Sequence, residues 1–136
     1  MSVGTTLRIL PDSSLTLILG KTTFEMVNNT VANETLNPSH LLILGTDEFV
    51  PLTPDSYTMY WNNNVDTYAA IYVPRARVRY EANTDMFGAL ISFSMDIKNN
   101  VNFHYDEALA KIDIEGGVPY WAITSWQERL KQQADN

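Results

Sequence analysis

The sequence predicts a mainly β chain, wound as a short right-handed parallel β-helix of about 17–19 residues per coil, with a small helical cap at its C-terminal end. Three observations predict it. Short apolar runs of strand length fill residues 7–10, 15–19, 24–27, 41–44, 57–61, 68–73, 75–80, 87–91 and 93–97. Pairs rich in Asn, Asp and Pro separate them, among them Pro11-Asp12, Asn28-Asn29, Pro54-Asp55, Asn62-Asn63-Asn64 and Asn99-Asn100, which favour tight turns and left-handed backbone. A repeat then links the runs in the second half of the chain.

That repeat is read by sliding the sequence on itself. Moving Val78-Arg79-Tyr80-Glu81-Ala82-Asn83 forward by 17 positions lays it on Met95-Asp96-Ile97-Lys98-Asn99-Asn100, with apolar on apolar, Arg79 on Asp96 and Glu81 on Lys98. A shift of 18 lays Ala70 to Val73 on Gly88 to Ile91, and Met59, Trp61 and Asn64 precede Val78, Tyr80 and Asn83 by 19. A period this short is too small for a propeller blade or a helical hairpin and suits one coil of a parallel solenoid. In-register stacking would then set inward apolar rows into one core and Asn64, Asn83 and Asn100 into a ladder at a corner. A β-sandwich with strands recurring at similar spacing is the rival.

Two segments carry helical signals. Ser125-Trp126-Gln127-Glu128 fits a capping box, and residues 106–112 place Glu107 and Lys111 one turn apart. We expect a single domain over residues 1–136, with a solenoid core over about 5–105 and the cap over about 106–136. The cap would include His104, Tyr105, Asp106, Trp121 and Trp126, covering the open last coil against edge-to-edge association.

Charge and composition narrow the functions. A net charge of −7 repels phosphate, so no strong nucleic-acid binding is expected. The chain has no cysteine and two histidines, His40 and His104, far apart in sequence, so neither a metal nor any other cofactor is expected. His104, Tyr105 and Asp106 could suggest a general base beside a carboxylate, but no Ser or Cys nucleophile motif accompanies them, and a structural role is preferred. Asp85, Asp96 and Asp106 form no evident convergent pair for sugar hydrolysis, since Asp96 pairs with Arg79 in the repeat. No catalytic residue is assigned. Asn28-Asn29-Thr30 and Asn33-Glu34-Thr35 match the N-glycosylation acceptor pattern.

Arg75, Arg77 and Arg79 alternate with Ala76 and Val78, so a strand turns all three arginines to one face. This face is the candidate ligand surface, for an acidic glycan, a partner protein's carboxylate or single-stranded DNA, with Tyr57, Tyr60 or Trp61 as a stacking surface. The plainer reading is a solvated face that keeps the solenoid soluble.

Tyr72-Val73-Pro74-Arg75-Ala76, Gly88-Ala89, His104-Tyr105-Asp106-Glu107-Ala108-Leu109 and Ser125-Trp126-Gln127-Glu128 together resemble the C-terminal domain of PilX-type pilus assembly proteins, the minor pilins of bacterial type IV pili. The chain departs from that pattern at Ala82 and Asn99, where a turn glycine is usual, and at Arg75, where Asn is usual. The resemblance implies a non-enzymatic structural or adhesive head outside the cytoplasm, on the cell surface or pilus. Its partners would be other pilins or pilus assembly proteins, with surface polysaccharide as a further ligand. A membrane would be reached only through a preceding apolar helix. The alternatives are a carbohydrate-binding or carbohydrate-cleaving β-helix and a bactofilin-like self-assembling scaffold. A bacterial origin would make the glycosylation matches coincidental.

Overall fold

The computed structural model describes residues 6–107 and 109. Eight strands follow in order: β1 (Thr6–Ile9), β2 (Leu15–Leu19), β3 (Phe24–Asn33), β4 (Leu41–Gly45), β5 (Met59–Asn63), β6 (Thr67–Glu81), β7 (Met86–Lys98) and β8 (Phe103–Tyr105), with a 3₁₀ turn at Pro38–His40 before β4. Among the described residues every strand pairing is parallel. The protein is therefore mainly β, as its sequence predicts.

The long strand β6 joins two ladders. Its first half pairs with β4 on one side and with the first half of β7 on the other, while its second half pairs with β5 and the second half of β7. β2 extends the first ladder beyond β4, and β3 and β1 extend the second beyond β5. Between the halves lies Pro74, which has no N–H to give a ladder, and the register slips there from Val73 opposite Ser92 to Arg77 opposite Ser94. Two runs expected as separate strands, residues 68–73 and 75–80, thus form one bent strand, and residues 87–91 and 93–97 do the same in β7.

Burial explains the bend. Thr67, Ala69, Ile71 and Val73 are buried before it and Ala76, Val78 and Tyr80 after it. Alternate residues face one side of a strand, so a two-residue spacing would have kept residue 75 inward. The extra residue at the corner changes the phase and aims both halves at the same core, where Trp61, Tyr80, Phe49, Leu41, Ile43 and Met59 are fully enclosed.

The register expected at 17 positions holds in the second ladder, where Val78 lies opposite Met95, Arg79 opposite Asp96, Tyr80 opposite Ile97 and Glu81 opposite Lys98. Met59 and Trp61 also meet Val78 and Tyr80 at the expected 19. The first ladder corrects the expected shift of 18: Ala70 meets Ala89 and Tyr72 meets Ile91, a shift of 19. The two extra residues at the Pro74 corner account for the difference from 17. Earlier layers are longer, with Leu42 opposite Ala70 and Phe24 opposite Met59, because residues 46–58 form a loop that buries Phe49.

The asparagine ladder is the second correction. Asn64, Asn83 and Asn100 are exposed and share no hydrogen bond. Among the residues whose side chains are described, the buried asparagines are Asn63 and Asn33. Asn63 accepts from the Val31 backbone N–H at 2.7 Å and donates to the carbonyl oxygens of Val31 and Val65 and to Thr67 Oγ1. Thr67 also accepts from the Tyr80 hydroxyl at 3.0 Å and Trp61 Nε1 at 3.4 Å, so one buried node satisfies the polar atoms of two large core aromatics. Asn33 is likewise buried and bonded, although it heads an acceptor pattern for glycosylation.

Turn chemistry behaves as residue type dictates. Asn99 takes the left-handed conformation at φ 67°, while Ala82 is buried and avoids it, so the two corners after the long strands differ. Of the expected helix at residues 106–112, one turn is seen, in which the Leu109 N–H bonds the Asp106 carbonyl oxygen. The remainder, with Trp121, Trp126 and the capping box at Ser125, lies outside the described residues.

Candidate functional site

Arg75, Arg77 and Arg79 do project from one face of β6, but each is already engaged. The Arg77 guanidinium donates to the Pro54 carbonyl oxygen and sits 5.9 Å from the Tyr57 ring centroid. Arg79 lies 5.5 Å from the same ring and 5.9 Å from that of Tyr60. Arg75 approaches Asp47 at 3.9 Å with both side chains largely in solvent, a contact of little energetic weight.

The expected Arg79–Asp96 ion pair is replaced by pairs along each strand. Arg79 Nε stands 3.3 Å from the Glu81 carboxylate, close enough for charge attraction without the angle of a hydrogen bond, and Lys98 reaches Asp96 at 3.2 Å. Asp96 also accepts from the Tyr57 hydroxyl at 2.7 Å. That bond holds the Asp96 carboxyl below the usual carboxylate range, with Lys98 and Arg79 adding to the effect, and it raises the Tyr57 phenol. Of the proposed stacking residues, Tyr57 and Tyr60 lie under the arginines and Trp61 is buried. This face is a self-neutralising network of arginines, tyrosines and carboxylates.

His104 has a different partner from the one its neighbours suggest. Its Nε2 lies 3.1 Å from Asp85 Oδ2, one layer below, and Asn102 donates to the other oxygen of the same carboxylate at 3.0 Å. These two bonds, His104 first, draw the Asp85 carboxyl below its ordinary value. β8, which carries His104, is the last layer among the described residues. The His104 side chain is 48% exposed and Tyr105 59%, and His104 bonds a side chain where backbone partners were expected. Among the described residues, no three or more His, Asp or Glu side chains gather as metal ligands.

Sequence reasoning missed the outer side of the first ladder. Parallel register carries Ile18 to Leu44 to Tyr72 to Ile91, and beside it Thr16 to Leu42 to Ala70 to Ala89. A third row runs from Tyr68 to Phe87 to His104, its rings stacked 4.7 and 4.4 Å apart and within 10° of parallel. None of these residues bears a fixed charge. Ile18 is 70% exposed, and Ile91 and half-buried Leu44 and Tyr72 continue the row. The alternation of apolar residues on both sides of β4 and β6 was the available signal, because strands solvated on one side alternate with polar residues.

At the edge of this face a groove of about 290 Å³ is lined by Leu36, Pro38, Tyr68 and Phe87 and by His104, Tyr105, Asp106 and Glu107. Its loop wall is fixed by Asn33, which donates to the carbonyl oxygens of Asn37 and Tyr68 and accepts from the Thr35 hydroxyl at 2.7 Å. Within that loop Leu36 holds φ 55° with a 64% exposed side chain, a conformation that costs a branched residue free energy.

Among the described residues no helix is long and apolar enough to cross a membrane. No curated protein and no solved structure matches the chain. A family described as a domain of unknown function, DUF7305, matches residues 1–112. With that match over most of its length, the chain belongs to the DUF7305 family.

Proposed function

We propose that this protein is a non-enzymatic structural or adhesive head domain, a minor-pilin-type component of a type IV pilus or a related surface protein acting in pilus assembly. In this reading the two ladders close through the Pro74 corner into a short right-handed solenoid, displayed outside the cytoplasm. The register offsets of 17 and 19 and the inward aim of both halves of β6 support the winding. Right-handed connection between parallel strands is the rule that sets the hand.

The observation that carries the docking role is the uncharged outer face of the first ladder. Apolar side chains standing outward in rows over four layers, while the second ladder carries the Arg79–Glu81 and Lys98–Asp96 pairs, mark a surface that meets another protein. The partner is another pilin or pilus assembly protein whose apolar surface covers the Ile18, Leu44, Tyr72 and Ile91 row.

The test is made in the bacterium that encodes the chain. Deleting the gene should reduce surface pili or adhesion, and the wild-type gene should restore them. A triple variant Ile18→Glu, Tyr72→Glu, Ile91→Glu, secreted at normal level, should not. Normal pili and adhesion in the deletion strain would sink the proposal, and filaments formed by the purified chain alone would favour a self-assembling scaffold.

A further inference from the structure

The groove beside Leu36 adds polar groups to the edge of the apolar face, and we infer that it binds an uncharged saccharide, best one bearing an N-acetyl group. The inference deepens the adhesive half of the proposed function by naming its ligand class. One wall is apolar, from Leu36 and Pro38, and the other is the Tyr68, Phe87 and His104 column. The lining also brings the phenols of Tyr68 and Tyr105 and the Glu107 carboxylate, none of which has a hydrogen-bond partner among the described residues. Sugar hydroxyls and amides both donate and accept, so they suit phenols, an imidazole and a carboxylate together. Their C–H faces and acetyl methyl suit Leu36 and the half-buried Tyr68 and Phe87 rings.

Size and charge narrow the ligand further. About 290 Å³ lies just below the usual range of small-molecule sites, room for one or two rings of a short saccharide. Glu107 and Asp106 in the lining disfavour sialylated or uronic-acid sugars. A second observation points to binding. Leu36 is kept in a left-handed backbone with its side chain in water, and a buried asparagine fixes the loop that keeps it there. A left-handed backbone that holds an apolar side chain in water on a groove wall is accounted for by a ligand that covers it.

The experiment uses the full 136-residue chain and NMR titration with N,N′,N″-triacetylchitotriose, cellotriose and 3′-sialyllactose. Triacetylchitotriose should perturb groove resonances with a dissociation constant on the order of 1 mM, cellotriose more weakly and sialyllactose least. Leu36→Gly removes the side chain and relieves the backbone, so the unfolding midpoint should hold or rise while saccharide affinity falls at least about fivefold. Glu107→Gln should weaken binding without changing the midpoint. The inference is overturned if no resonance moves at about 10 mM saccharide, roughly ten times the expected constant, if the shifts map away from the groove, or if both variants bind like the parent. These outcomes are independent of pilus assembly, so failure here leaves the docking face standing, and failure of the Ile18, Tyr72, Ile91 variant leaves this site standing.

Discussion

The Tyr57 hydroxyl donates to the Asp96 carboxylate at 2.7 Å while the Arg79 guanidinium lies 5.5 Å from the same ring. One tyrosine outside the ladders thus joins an acid of β7 to a cation of β6. The Asp96 carboxyl is lowered first by this bond. A depressed carboxylate contributes stability that is present above its unfolded pKa and lost as pH falls through the folded value. Tyr57→Phe should therefore move the Asp96 titration midpoint upward in a carbon-detected NMR titration and narrow the acid-dependent part of stability. An unmoved midpoint would show that Lys98, not Tyr57, holds the acid.

Asp85 obeys the same sign. Its carboxyl is lowered first by His104 and then by Asn102, so its contribution also disappears on the acid side. His104→Ala should raise the Asp85 midpoint. Because the imidazole is half exposed, the loss of global stability should stay below about 1 kcal/mol, less than a buried cap residue would cost. Chemical denaturation checks it, and a loss of several kcal/mol would place His104 in a more enclosed setting than the one described.

Gly88 occupies φ +135°, and a Cβ there would drive into the Ala69 carbonyl oxygen of the neighbouring layer. Gly88→Ala should cost more than about 3 kcal/mol or prevent folding, since both the backbone and the layer spacing must give. Gly20→Ala is the internal comparison, because no heavy atom lies within 4 Å of a Cβ there. Thermal unfolding of the two variants should separate them widely.

Asn63 ties three segments together through buried bonds to Val31 and Thr67 and a part-buried one to Val65. Asn63→Ala leaves the buried Val31 N–H unpaired and should destabilise by about 2 to 3 kcal/mol. Asn64→Ala, one residue away and exposed, should change stability by less than about 0.5 kcal/mol. Equal effects in urea unfolding would contradict the buried node.

Local pattern determined a good deal of this protein. Period-two alternation and turn residues placed the strands, and the match of Val78, Tyr80 and Glu81 to Met95, Ile97 and Lys98 gave the parallel register, because like residues stacked in adjacent layers leave a repeat in the chain. The shared outward face of Arg75, Arg77 and Arg79 followed from the same alternation. Only tertiary structure decided which groups meet. A corner of two extra residues at Pro74 shifts one ladder by two positions relative to the other, and no local signal counts them. Partners such as Tyr57 with Asp96, or Asp85 with His104, are 39 and 19 residues apart and are chosen by side-chain reach across layers. The apolar outer face and the groove beside Leu36 exist only where strands distant in sequence are laid side by side, since a surface is a property of neighbours in space.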